Sequence, residues 1–209
     1  MVIMSGSNRG QAYSLEAIAG SVIVVTALLF ALQSIIITPT TSSGVDPDVR
    51  KDLRAQASDM LVIVDNNETT DLSYYTRLWV PESQTFEGAQ NPSVGYGTTR
   101  PPGIFGEILN TTFKENSRLY NVEVLYLGTN ATDDRGRVPM TYHGQPAEGA
   151  VTASYTVTLY DNQTLTSGKT GTAELWEYDT DPNSEGYYPI PNAVEGPVYN
   201  VVEVRLTVW

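Results

Sequence analysis

Cysteine is absent from the 209-residue chain, which excludes disulfide frameworks, zinc ribbons and thiol nucleophiles together. Histidine occurs once, at His143, too little to build a histidine-based metal site. Basic residues are scarce: 12 Lys and Arg stand against 24 Asp and Glu, for a net charge of −12. A nucleic-acid binder needs the opposite balance, because neutralised phosphates supply most of its affinity. Charged residues make up only 17% of the chain and apolar ones 41%, which fits neither a disordered acidic tail nor a polytopic membrane protein.

Lysine is the scarcest cation, at Lys51, Lys114 and Lys169 alone. An excess of acid with little lysine suits solubility in concentrated salt, where repulsion is screened within a few ångströms. In this respect the composition resembles that of haloarchaeal proteins. An ordinary acidic extracellular domain is the other reading of the same numbers.

What the chain does have is one long uncharged run, AIAGSVIVVTALLFALQSIIIT, at residues 17–38. As a helix it would rise about 33 Å, enough for the hydrocarbon layer of a bilayer. Pro39 stops it. Arg9 on one flank and Asp46 and Asp48 beyond the other orient it with the N-terminus inside and the rest of the chain outside. A cleaved secretory signal would have a shorter apolar core and a small-x-small site after it. A buried globular helix would carry a polar face.

The residues ahead of the run are Arg9-Gly10-Gln11 and then Ser14-Leu15-Glu16. This arrangement resembles the class III signal of archaeal type IV pilins and related surface proteins. The resemblance implies a prepilin peptidase cut between Gly10 and Gln11 that leaves the apolar segment attached. It also implies that Glu16 neutralises the new N-terminal amine of a neighbouring subunit during assembly. Glu16 is the sixth residue from Gln11, one beyond the family's usual fifth, and Pro39 ends the helix earlier than in typical pilins. The domains expected are a leader at 1–10, a transmembrane, pilin-like helix at 11–38, a linker at 39–47 and an extracellular head at 48–209.

Within the head, Val49, Leu53, Ala57, Met60, Leu61 and Val64 recur at helical spacing, with Asp46 or Asp48 available as a cap. Residues 73–80 suggest a strand, and four prolines with several glycines indicate loops up to 103. Residues 104–116 read as a second helix. Strict alternation at 120–126, 151–160 and 202–208 predicts strands, and 164–178 could return as a hairpin partner. The fold class expected is α+β: the long N-terminal helix, then a mainly antiparallel sheet with one or two packed helices.

Candidate sites are few. Sequons at Asn67, Asn110, Asn130 and Asn162 are glycosylation candidates on an exported head. Asp179, Asp181, Asn183 and Glu185 place oxygens at alternate positions, as calcium loops do, but Pro182 interrupts them, and a solvated acidic loop is the preferred reading. Gly168-Lys169-Thr170 is no phosphate loop, since Gln163 occupies the first glycine position. No nucleophile elbow accompanies His143, which reads as a surface residue. The thirteen tyrosines pack a core or serve a contact surface.

The expectation is therefore a protein that is not an enzyme and needs no cofactor or metal. Its expected partners are the membrane, a prepilin peptidase and other pilin-like subunits, not nucleic acid. It would be a minor or accessory subunit of a pilus-like filament or adhesion apparatus. A non-polymerising, single-pass, membrane-anchored extracellular binding domain is the alternative.

Overall fold

The computed structural model describes residues 8–33, 47–129, 135–194 and 196–209. Contacts divide the chain into two units, 1–42 and 43–209, and each is described by itself.

The first unit contains one helix, α1 (Asn8–Gln33), with side chains described from Glu16 to Leu29. It corrects the expectation of a membrane-crossing N-terminal helix. Among the described residues, no helix is long and apolar enough to cross a membrane. The first turns of α1 mix the polar Arg9, Gln11, Ser14 and Glu16 with apolar residues, and charge there counts against burial in hydrocarbon.

The second unit, the head, is α+β with antiparallel sheets. It opens with α2 (Pro47–Asp65). Leu53, Ala57, Met60, Leu61 and Val64 form its buried stripe, one face of a 3.6-residue period. Residues 73–80 do not form the strand that their β-branched and aromatic content suggests. Asp71 accepts a 2.6 Å bond from the Tyr74 amide and caps a short helix, α3 (Leu72–Thr76). Only β1 (Trp79–Val80) remains extended, paired with β2 (Thr85–Phe86). The second long helix is α4 (Gly103–Thr112), followed by a 3-10 turn at Lys114–Asn116.

Four strands build the main sheet: β3 (Tyr120–Leu127), β4 (Arg135–Thr141), β5 (Val151–Tyr160) and β6 (Val198–Val208), in the order β4-β3-β6-β5. All three pairings are antiparallel. From Val201 onward β6 alternates without a break, with Val202, Val204, Leu206 and Val208 buried and Val201, Glu203, Arg205 and Thr207 half-exposed. The inner face carries α2, which lies over β5 and β6 and joins them in one hydrophobic cluster. The outer face carries the ion pairs Arg137–Glu123 (3.5 Å) and Arg205–Glu203 (3.0 Å).

Strand β4 had no sequence signal, since Gly136 and Pro139 interrupt its alternation. Two close approaches explain their neighbourhood. Tyr126 lies directly opposite Gly136 and fills the space a side chain would take, with the ring 2.1 Å from the position of an added Cβ. Gly95, at φ +57°, brings its backbone against Met140 so closely that a Cβ would lie 2.1 Å from the Met140 carbonyl oxygen. That approach lets Tyr96 donate its amide to Met140 and Tyr142 donate its amide to Val94. The segment 164–178 does not return as a hairpin strand; a single bridge, Thr164–Glu174, leads into a 3-10 turn at Leu175–Glu177.

Candidate assembly segment and surface sites

Every described side chain of α1, from Glu16 to Leu29, is exposed. Ile18, Val22, Ile23, Val24, Val25, Leu28 and Leu29 are each more than half-exposed, and at 100° per residue these positions circle the helix. The two hydroxyls within 16–29 are folded away, with Ser21 Oγ donating to the Ala17 carbonyl and Thr26 Oγ1 to the Val22 carbonyl, both at 2.7 Å. Such back-bonding to the preceding turn satisfies a hydroxyl without a partner outside the helix. From Ala17 to Leu29 the helix therefore presents hydrocarbon on every side, and Glu16 is the one charge at its edge. Gly10 and Gln11 lie in the first turn of α1, so the expected cleavage point falls inside the helix rather than before it.

The sequons differ in access. Asn162 is exposed, in the turn after β5 closed by the Gln163 amide on the Tyr160 carbonyl. Asn67 is half-buried, and its Oδ1 accepts from the Thr69 amide, the Thr70 amide and the Thr70 hydroxyl. Asn110 sits in α4, with its Nδ2 donating to Glu115 at 2.8 Å. Asn130 lies outside the described residues.

The acidic loop is held by its own carboxylates. Asp179 Oδ1 accepts the Asp181 amide, and Asp181 Oδ1 accepts both the Asn183 amide and the Asn183 side chain. These bonds favour the ionised form of Asp181 and hold its pKa below the usual range. Oxygens used in this way brace the turn instead of converging on an ion. Among the described residues no group of acids and histidine is placed to hold a metal. Glu185 is exposed at the loop's far end.

His143 has a structural task that its sequence context did not suggest. Its Nδ1 lies 2.5 Å from the Tyr120 carbonyl, and its ring stands edge-on to Tyr120 at 4.6 Å. Asn121 completes this clamp, accepting the His143 amide and donating to the Gly144 carbonyl. A polar groove of about 530 Å³ opens beside it, lined by Glu123, Arg137, Tyr142 and Gln145 among others. Its two charged residues are bound to each other.

Most of the large tyrosines belong to the core. Tyr75, Tyr120, Tyr188 and Tyr199 are almost fully buried, and burial raises the pKa of Tyr188 and Tyr199 well above the ordinary phenol value. Tyr188 donates to the Thr76 carbonyl and Tyr199 to the Ile190 carbonyl. Tyr142, Tyr160 and Trp176 remain exposed. Sequence reasoning missed the buried amides Asn121 and Asn200. Asn200, fully buried, accepts the Leu127 amide and donates to the Leu127 and Pro191 carbonyls. An asparagine inside a strand pattern is the signal that could have marked both.

The model of one protein family matches residues 9–208; it is described as a family of unknown function (DUF7288). No curated protein and no solved structure matches.

Proposed function

We propose, for a chain that belongs to the DUF7288 family over residues 9–208, the role of an exported, pilin-like subunit of a surface filament. Its leader ends at Gly10, a prepilin peptidase cuts before Gln11, and the apolar part of α1 packs against the same helix of neighbouring subunits. The head is displayed outside the cell. No step of this role asks the head for a catalytic group, a metal or a cofactor.

One observation carries the reading. A helix whose apolar side chains face outward on every side, with both hydroxyls bonded internally, is stable only when something apolar surrounds it. Sister helices supply such surroundings, and packing needs a continuous apolar surface rather than a bilayer's thickness. The family match includes this helix together with the head, which supports a shared role for the two. Glu16 at the edge of the apolar stretch then meets the terminal amine of a neighbour, where loss of water strengthens the pairing of opposite charges.

Glu16→Ala tests this assignment. Expression should be normal, while incorporation into sheared surface filaments, read by quantitative mass spectrometry, should drop sharply. Undiminished incorporation would remove Glu16 from assembly.

A further inference from the structure

The head carries opposite charges at its two ends. At one end the first turns of α2 expose Arg50, Lys51 and Arg54, which with Pro47 and Val151 line a cradle of about 250 Å³. Ion pairs among the described residues join Arg137 to Glu123 and Arg205 to Glu203, so none of these three cations is held in one. Arg50 closes the first turn, where the helix N-terminal end disfavours positive charge, and Lys51 and Arg54 follow it in the next turn. Asp48 and Asp52 on the same turns offset that repulsion only in part. Three exposed cations on two turns, outside those ion pairs of an otherwise acidic chain, form a basic surface open to a partner.

At the other end Glu82 and Glu185 line a groove of about 640 Å³ with Gln84, Pro182, Asn183 and Ser184. Side-chain bonds brace the loop here. Gln84 Nε2 donates to the Pro182 carbonyl at 2.6 Å, and Asp181 is fixed and ionised by Asn183.

Strand register places the two surfaces. Val151, in the basic cradle, pairs with Val208 at the end of β6, where Tyr120 also pairs. The acidic loop adjoins Tyr126, Gly128 and Gly136 through Thr180 and Tyr187, at the opposite end of β3 and β4. Along β6 the two ends are separated by the stretch from Val208 to Asn200, which bonds Leu127, about 27 Å.

We propose that the basic cradle of Arg50, Lys51 and Arg54 receives the acidic loop, through Glu82 and Glu185, of a second copy of this chain. The two surfaces differ and lie at opposite ends of one sheet, so the contact is heterologous and propagates from copy to copy instead of pairing two alike. It gives the heads of a filament a defined direction. Charges meeting directly across the contact act at a range shorter than the screening length of ordinary salt. This contact rests on the filament reading above and adds a head-to-head partner to it.

The test uses the full chain in two charge-reversed forms, one with Arg50→Glu, Lys51→Glu and Arg54→Glu, the other with Glu82→Lys and Glu185→Lys. All five side chains are exposed, and circular dichroism confirms that both forms fold. Each reversal alone should raise the concentration needed for assembly, measured by sedimentation, by about tenfold or more. An equal mixture of the two should recover assembly, since each form then meets its complement. Assembly of both single forms at the wild-type concentration would overturn the contact and leave the filament reading standing. A wild-type chain that neither assembles nor occurs in surface filaments would remove the filament reading and this contact with it.

Discussion

Helix α1 and helix α2 are built from similar apolar residues but use them in opposite ways. In α2 the buried positions fall on one stripe, and the sheet beneath covers Leu53, Ala57, Met60, Leu61 and Val64. In α1 the apolar residues surround the axis, and every described side chain is exposed. The difference separates a helix with one buried stripe from one whose apolar residues are spread around its whole circumference. The head encloses its own hydrophobic cluster, so it has what it needs to fold by itself. Helix α1 has an apolar surface that water disfavours.

The sharpest way to break this comparison is to truncate one residue in each helix. Leu61→Ala empties a fully buried site and should cost about 2–5 kcal/mol of head stability in chemical denaturation. Val25→Ala removes an exposed side chain of α1 and should leave the denaturation midpoint of the head unchanged while weakening assembly. A loss of head stability from Val25→Ala would show that the two helices are not independent.

Alkaline titration sharpens it next. Burial raises the pKa of Tyr96, Tyr188 and Tyr199, and pushes Tyr120 up to about 12. The folded head thus keeps protons that an unfolded chain releases near pH 10. This contribution to stability is complete below about pH 10 and is lost as pH rises towards and beyond 12. For fully buried Tyr188 the slope is about 1.4 kcal/mol per pH unit above 10. None of these tyrosines lies in α1, so the far-ultraviolet signal of the head should collapse in this window. A head unchanged at pH 12 would contradict the burial.

Glycosylation has the smallest effect on stability. Asn162, exposed in its turn, should carry a glycan on the exported protein, ahead of Asn67 and Asn110, whose side chains are already bonded. Asn162→Gln should remove that mass and shift stability by no more than about 0.5 kcal/mol. Peptide mapping reads the first outcome and thermal melting the second.

Legibility in the sequence follows the range of the forces involved. The alternation at 202–208 and the stripe of α2 express burial on one face, a property written residue by residue, and both elements lie where their periods place them. Residues 73–80 misled because one carboxylate, Asp71, caps a helix that the propensity of Ser73-Tyr74-Tyr75 does not favour. The hairpin strand expected at 164–178 does not form because bonds to distant residues hold this segment and the loop after it. Arg77 donates to the Thr164 carbonyl, the Trp79 indole to the Tyr187 carbonyl, and Tyr188 to the Thr76 carbonyl. The apolar run of α1 was legible, because an unbroken series of uncharged residues needs no partner to be recognised. The basic cradle was hidden for another reason: Arg50, Lys51 and Arg54 become a surface only when Val151 is brought beside them.

Sequencing the N-terminus of the protein recovered from the cell surface tests the account most directly. A chain that begins at Gln11 is what it predicts. A chain that still begins at Met1 would contradict it.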